Sequence, residues 1–150
     1  MNIRRLLLAA VSCLVLVNAA LADPVHAKGP EPLRIAFGQE VNLADYLVPG
    51  KTTVFDFTSE YCPPCRMYDK PLVHLHQKRA DIVVVKVDIN RPGVKKIDWS
   101  SPVAKQYGMD SIPRFKIFGP DGKLLHEDKP PEDRSARQQI NAWCEALGEE

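Results

Sequence analysis

The run VFDFTSEYCPPC, residues 54–65, constrains this chain more than any other stretch. With Thr52 and Thr53 before it, its first half is β-branched and aromatic with apolar side chains on both faces, which predicts a central strand. After it, Cys65, Tyr68, Leu72, Leu75 and Arg79 fall on one stripe, so a helix is expected from about residue 62 to 79. Pro71 lies inside that pattern and predicts a kink. A strand that feeds a helix through C-x-x-C places its first cysteine at the helix N-terminus, where free N–H groups and the helix dipole favour a thiolate. Cys62 is therefore the expected attacking sulfur. Cys65, one turn further in, is expected to lie deeper and to resolve the mixed disulfide. Two other uses of the pair stay open. It could be half of a zinc site, although no second C-x-x-C or Cys/His pair supplies the remaining ligands, or a structural bridge, although so short a loop constrains the unfolded chain little.

Asp56 is the anomaly of the strand. An unpaired carboxylate between Phe55 and Phe57 is costly in the middle of a sheet. Burial raises its pKa, which suits it to take and return the proton of Cys65 as that sulfur attacks. Lys86, in the second strand candidate DIVVVKVDI, is the expected partner of Asp56. The alternative is a solvated Asp56 at a strand end.

The N-terminus reads as a targeting segment. MNIRR is a basic start, Leu6 to Val17 is apolar apart from Ser12 and Cys13, and ALADP offers Ala20 and Ala22 at a small-x-small cleavage site. Residues 1–22 are thus an expected signal peptide, with an uncleaved anchor as the alternative; after cleavage no stable membrane insertion is expected. Cleavage removes two arginines and no acid, which moves the formal charge from +1 to −1. A near-neutral chain has no electrostatic case for nucleic acid. Three cysteines remain, Cys62, Cys65 and Cys144, and an odd number cannot be a paired framework even where disulfides persist.

Residues 23–32 read as a flexible lead-in and residues 33–150 as one domain. LRIAFG predicts a short strand and NLADYLVPG a short helix capped by Asn42. NRPGVKKIDW reads as a basic loop, and SSPVAKQYG as a helix with Ser101 as cap, Pro102 first and Gly108 last. RFKIF and KLLHE flank a hairpin turn, and a final helix is expected over Asp133 to Leu147. This order predicts a small α/β sandwich with parallel and antiparallel parts.

FDFTSEYCPPC, VKVDIN and KQYGMDSIPRFKIF, in that order over roughly Lys51 to Glu127, resemble the thioredoxins. The resemblance implies a three-layer sandwich with a central mixed β-sheet flanked by helices. It also implies that Pro113 is a cis proline packed against the disulfide and that the Ile112 backbone pairs with substrate. Tyr61 stands where the family usually has Trp and is expected to touch substrate, as are Pro63 and Pro64, which replace the familiar Gly-Pro. The two prolines remove two N–H groups, leaving those of Cys65 and Arg66 as the nearest later donors to the Cys62 sulfur. Fewer donors push the pair towards reduction, while the charge of Arg66 pulls the other way.

The expected activity is that of an exported protein-disulfide oxidoreductase, more a reductant than an oxidant, with Cys62, Cys65, Asp56 and Lys86 as its chemical residues. It would need no cofactor or metal. Its partners would be protein thiols and disulfides, with a membrane electron donor if it reduces; in a double-membraned bacterium its place would be the periplasm. A Cu(I) carrier built on Cys62 and Cys65 and a docking module without turnover are the alternatives. Cys144 is expected to be a buried, inert thiol, His74, His76 and His126 solvated or boundary residues, and Trp99 an anchoring aromatic in a loop with Lys95 and Lys96. Met109 is left equally to substrate contact or packing.

Overall fold

Two strands carry the architecture of the computed structural model, which describes residues 27–148. β2 (Thr52–Thr58) and β3 (Ile82–Asp88) are buried over all or nearly all their length and pair in parallel from Thr52 opposite Ile82 to Thr58 opposite Asp88. Side chains that are apolar on both faces demand cover on both faces. β1 (Leu33–Ile35) adds to β3 in parallel, while β4 (Arg114–Phe118) and β5 (Leu124–Glu127) extend the other edge antiparallel, giving the order β1-β3-β2-β4-β5. The central mixed sheet is the one the resemblance implies.

The pleat sorts the core into two layers. Phe55, Phe57, Val83, Val85 and Val87 face one side, with Leu43 of a 3-10 turn (Leu43–Tyr46) and with Val103 and Ala104 of helix α3 (Pro102–Gln106). Val54, Val84, Phe115 and Ile117 face the other, with Leu72 and Leu75 of α2 (Asp69–Lys78) and with Ala136 and Ile140 of α4 (Ser135–Leu147). Met109 is buried in the first layer and so packs.

Several expectations are corrected. The helix expected over 62–79 is two pieces, α1 (Pro63–Arg66) and α2, broken at Met67 and Tyr68. Pro71 has no N–H for the carbonyl of Met67 and its ring crowds that carbonyl, so the break falls before the proline, which sits in the tolerant first turn of α2. The last helix starts at Ser135 because Asp133 is engaged in a bridge with Lys129, and its Oδ1 accepts the Ser135 N–H at 2.8 Å. His76 is 1% exposed, not solvated: its Nδ1 accepts the Val84 N–H at 3.0 Å and its Nε2 lies 2.9 Å from the Gly29 carbonyl. The lead-in is therefore not free over its described part, where Lys28 Nζ also donates to the Arg79 carbonyl at 2.6 Å. Trp99 is 42% exposed, and the loop is held by buried polar side chains, among them Asp98, whose carboxylate takes Arg91 Nε at 2.7 Å. Cys144 is half-buried, with its sulfur 3.8 Å from the Pro71 carbonyl, and desolvation raises its thiol pKa. The expected signal peptide lies outside the described residues. Among the described residues no helix is long and apolar enough to cross a membrane.

Candidate active site

Residues from four strands form one row across the sheet. The register sets Arg34 of β1 beside Lys86 of β3, Lys86 beside Asp56 of β2, and Asp56 beside Phe115 of β4. Period-two alternation puts all four on the face covered by α2 and α4. Asp56 is 1% exposed, and neither of its carboxylate oxygens accepts a hydrogen bond from a described residue. Desolvation is the chief cause that lifts its pKa from 3.8 to about 7, with Asp69 adding to the rise and Lys86 and Arg34 opposing it. The expected Asp56–Lys86 pair is not made. Lys86 Nζ instead bonds Asp69 Oδ1, in the first turn of α2.

β2 ends at Thr58, and four residues later Cys62 caps α1. Cys62 and Cys65 form a disulfide with an S–S distance of 2.08 Å. The Cys62 sulfur accepts the Cys65 N–H at 3.2 Å, but Arg66 N–H goes to the Cys62 carbonyl at 3.3 Å, so only one of the two expected donors reaches the sulfur. With four residues, α1 contributes a single turn of aligned dipoles. The expected difference in depth is absent: both cysteines are 1% exposed in the disulfide. The Ile112 carbonyl lies 3.7 Å from the Cys62 sulfur.

The Ile112–Pro113 peptide bond is cis. Two arginines hold this loop: Arg137 Nη2 of α4 donates to the Pro113 carbonyl at 2.5 Å, and Arg114 Nη1 to the Gly108 carbonyl at 2.9 Å. Tyr61 is half-buried and Pro63 and Pro64 are exposed, so these three line the approach to the disulfide. A buried amide supports the segment from below. Ser59 Oγ accepts the Tyr61 N–H at 3.1 Å and donates to Asn90 Oδ1 at 2.7 Å, while Asn90 Nδ2 donates to the carbonyls of Val94 and Lys96 at 3.1 and 2.6 Å.

The structure joins Cys62 to Cys65 and sets the Ile112 carbonyl against Cys62, while Asp56 and Lys86 lie side by side in the buried row of β2 and β3 without pairing. Sequence reasoning missed Asp69, Asn90 and Arg137. Asp69 alone carried a signal, an acid two residues before Pro71, where a helix restarted by that proline would have its first turn.

A strand-turn-helix that presents a disulfide to a cis-proline loop over a mixed sheet defines a dithiol–disulfide site on a thioredoxin-like scaffold. The family profile described as Thioredoxin matches residues 36–145, and the chain belongs to the thioredoxin family. The H-type thioredoxin of Brassica campestris is 35% identical over 74 residues, 49% of this chain and 54% of that protein. The chain spans about half the length of the first curated relatives it matches. Among solved structures, thioredoxin from Trypanosoma brucei brucei superposes with a TM-score of 0.53 at 15% identity, covering 83% of this chain and 97% of that one. A mutant thioredoxin from Halobacterium salinarum NRC-1 gives 0.52 at 21% identity, covering 83% and 96%. At these identities the structural matches speak for the fold.

Proposed function

We propose that this chain is an exported thiol–disulfide oxidoreductase that reduces disulfides in other proteins. The observation that carries the activity is the Cys62–Cys65 pair at bonding distance at the start of α1, after the strand that carries the buried Asp56. In the reduced enzyme the Cys62 thiolate attacks one sulfur of a client disulfide, which forms a mixed disulfide and releases one client thiolate. Asp56 takes the proton of Cys65, the Cys65 thiolate attacks the Cys62 sulfur, and the second client thiolate leaves. Two electrons pass to the client, its two thiolates take up one proton from Asp56 and one from solvent, and the enzyme holds its own disulfide. Tyr61, Pro63 and Pro64 contact the client, and the backbone at Ile112 and Pro113 aligns its chain beside Cys62.

The reducing direction is supported by the donors around Cys62. Pro63 and Pro64 have no N–H, a single amide reaches the sulfur, and a less stabilised thiolate makes a weaker oxidant. An exported reductant would need recharging, which we assign to a membrane electron donor, in the periplasm if the host has two membranes. Equilibration of the pair with glutathione and dithiothreitol buffers tests the direction: a potential near the roughly −270 mV of thioredoxins is expected, and one near roughly −120 mV would make the chain an oxidant. The activity itself is tested with Cys65→Ser, which should accumulate a mixed disulfide through Cys62, whereas Cys62→Ser should form none.

A further inference from the structure

We infer that Asp69 is a positioning residue: it holds the Lys86 ammonium towards the solvent edge of the row and so keeps the neighbouring Asp56 carboxyl without an ion-pair partner. Lys86 and Asp56 are direct register partners on adjacent parallel strands with side chains on the same face, and strands in a sheet lie only about 4.8 Å apart. A lysine stem so placed could reach Asp56. Its Nζ lies on Asp69 Oδ1 instead, and the Asp69 side chain is 45% exposed where that of Lys86 is 11% exposed.

The other groups around Asp56 are committed elsewhere or uncharged. Arg34, next in the row, pairs with Asp88 at 2.5 Å. Phe115 of β4 carries no charge, the α1 cysteines are joined in a disulfide, and Arg137 of α4 is bonded to the Pro113 carbonyl. The row thus offers two cations, and each is held by an anion other than Asp56. An ion pair with so exposed a carboxylate contributes little to stability, so the consequence of the Lys86–Asp69 pair lies in what it withholds from Asp56. The location follows from the broken helix. Because the chain restarts after Met67, Asp69 falls in a first turn, where an acid is favoured by the helix dipole.

The consequence for turnover rests on the reading that Asp56 moves the Cys65 proton; the effect on Asp56 itself does not. The test is a carbon-13 NMR titration of the Asp56 carboxyl in the wild type and in Asp69→Asn, Asp69→Glu, Lys86→Met and the Lys86→Met/Asp69→Asn double variant. Asp69→Asn should lower the Asp56 midpoint by about one pH unit, the size of effect expected when a cation is freed to approach a carboxylate. Asp69→Glu should restore the wild-type midpoint and Lys86→Met should raise it. Removing Asp69 in the Lys86→Met background should shift the midpoint much less than in the wild type, because the agent of the shift is gone. An unchanged midpoint in Asp69→Asn, or an equal shift in both backgrounds, would overturn the inference. The pH profile of disulfide exchange, recorded on the same variants, separates the two ideas. A profile that stays in place while the NMR midpoint moves would end the proton-transfer role of Asp56 and leave the positioning by Asp69 intact.

Discussion

Burial raises the Asp56 carboxyl from 3.8 to about 7, so between about pH 4 and 7 the folded chain binds a proton that the unfolded chain has lost. Stability contributed by this group is therefore greatest below pH 4, falls as pH rises to 7, and is level above it. That rise corresponds to about 4 kcal/mol at pH 8. Asp56→Asn removes that penalty but leaves a buried amide to satisfy. We expect it to stabilise the protein by about 2–4 kcal/mol at pH 8 and by much less at pH 4, measured by urea unfolding; an equal gain at both values would contradict the pKa. The same variant should slow the resolving step. Asp56 was legible in the sequence because an acid inside an apolar strand has no ordinary explanation. Its lack of a partner was not, since which anion Lys86 reaches depends on where α2 begins.

The elements were legible where periodicity and turn residues agree, as at β4 and β5 around their turn and at α3 between Ser101 and Gly108. They were less so where one residue acts on another across a turn, as Pro71 acts on Met67. His76 shows a different gap. It lies on the face of Leu72 and Leu75, so its place on the helix permitted burial, and only imidazole polarity argued for solvent. β1 begins at Leu33 opposite Val85, one residue too late to serve Val84, and His76 supplies the acceptor that the edge of the sheet lacks. Burial lowers the His76 pKa and keeps it neutral. Its contribution is complete above the usual value of 6.5 and is lost as the pH falls below it. His76→Leu should cost about 1–3 kcal/mol, the penalty of an orphaned buried N–H. Hydrogen exchange should show faster amide loss at residues 28–31 than in the wild type; unchanged exchange there would show that the lead-in does not depend on this ring.

Across the whole molecule, two apolar layers separated by the sheet carry the fold, and the disulfide spans a sequence separation of only three residues. By the chain-entropy relation so short a loop stabilises by about 2 kcal/mol. Reduction should therefore leave far-UV circular dichroism unchanged and lower unfolding stability by no more than about that amount; a reduced form that melts would show that the bridge is structural. The three-layer plan followed from the spacing of motifs that match a known family, whereas composition and strand order alone allow other α/β sandwiches. The loop from Arg91 to Ser100 lay beyond both, because its order depends on two buried polar side chains, Asn90 and Asp98. Asn90 grips the loop through the carbonyls of Val94 and Lys96 and grips Ser59 on the other side, leaving Lys95, Lys96 and Trp99 exposed. A main-chain carbonyl presents the same acceptor whichever side chain its residue bears. The outward positions of this loop can therefore change in sequence while the backbone that Asn90 and Ser59 tie together keeps its place.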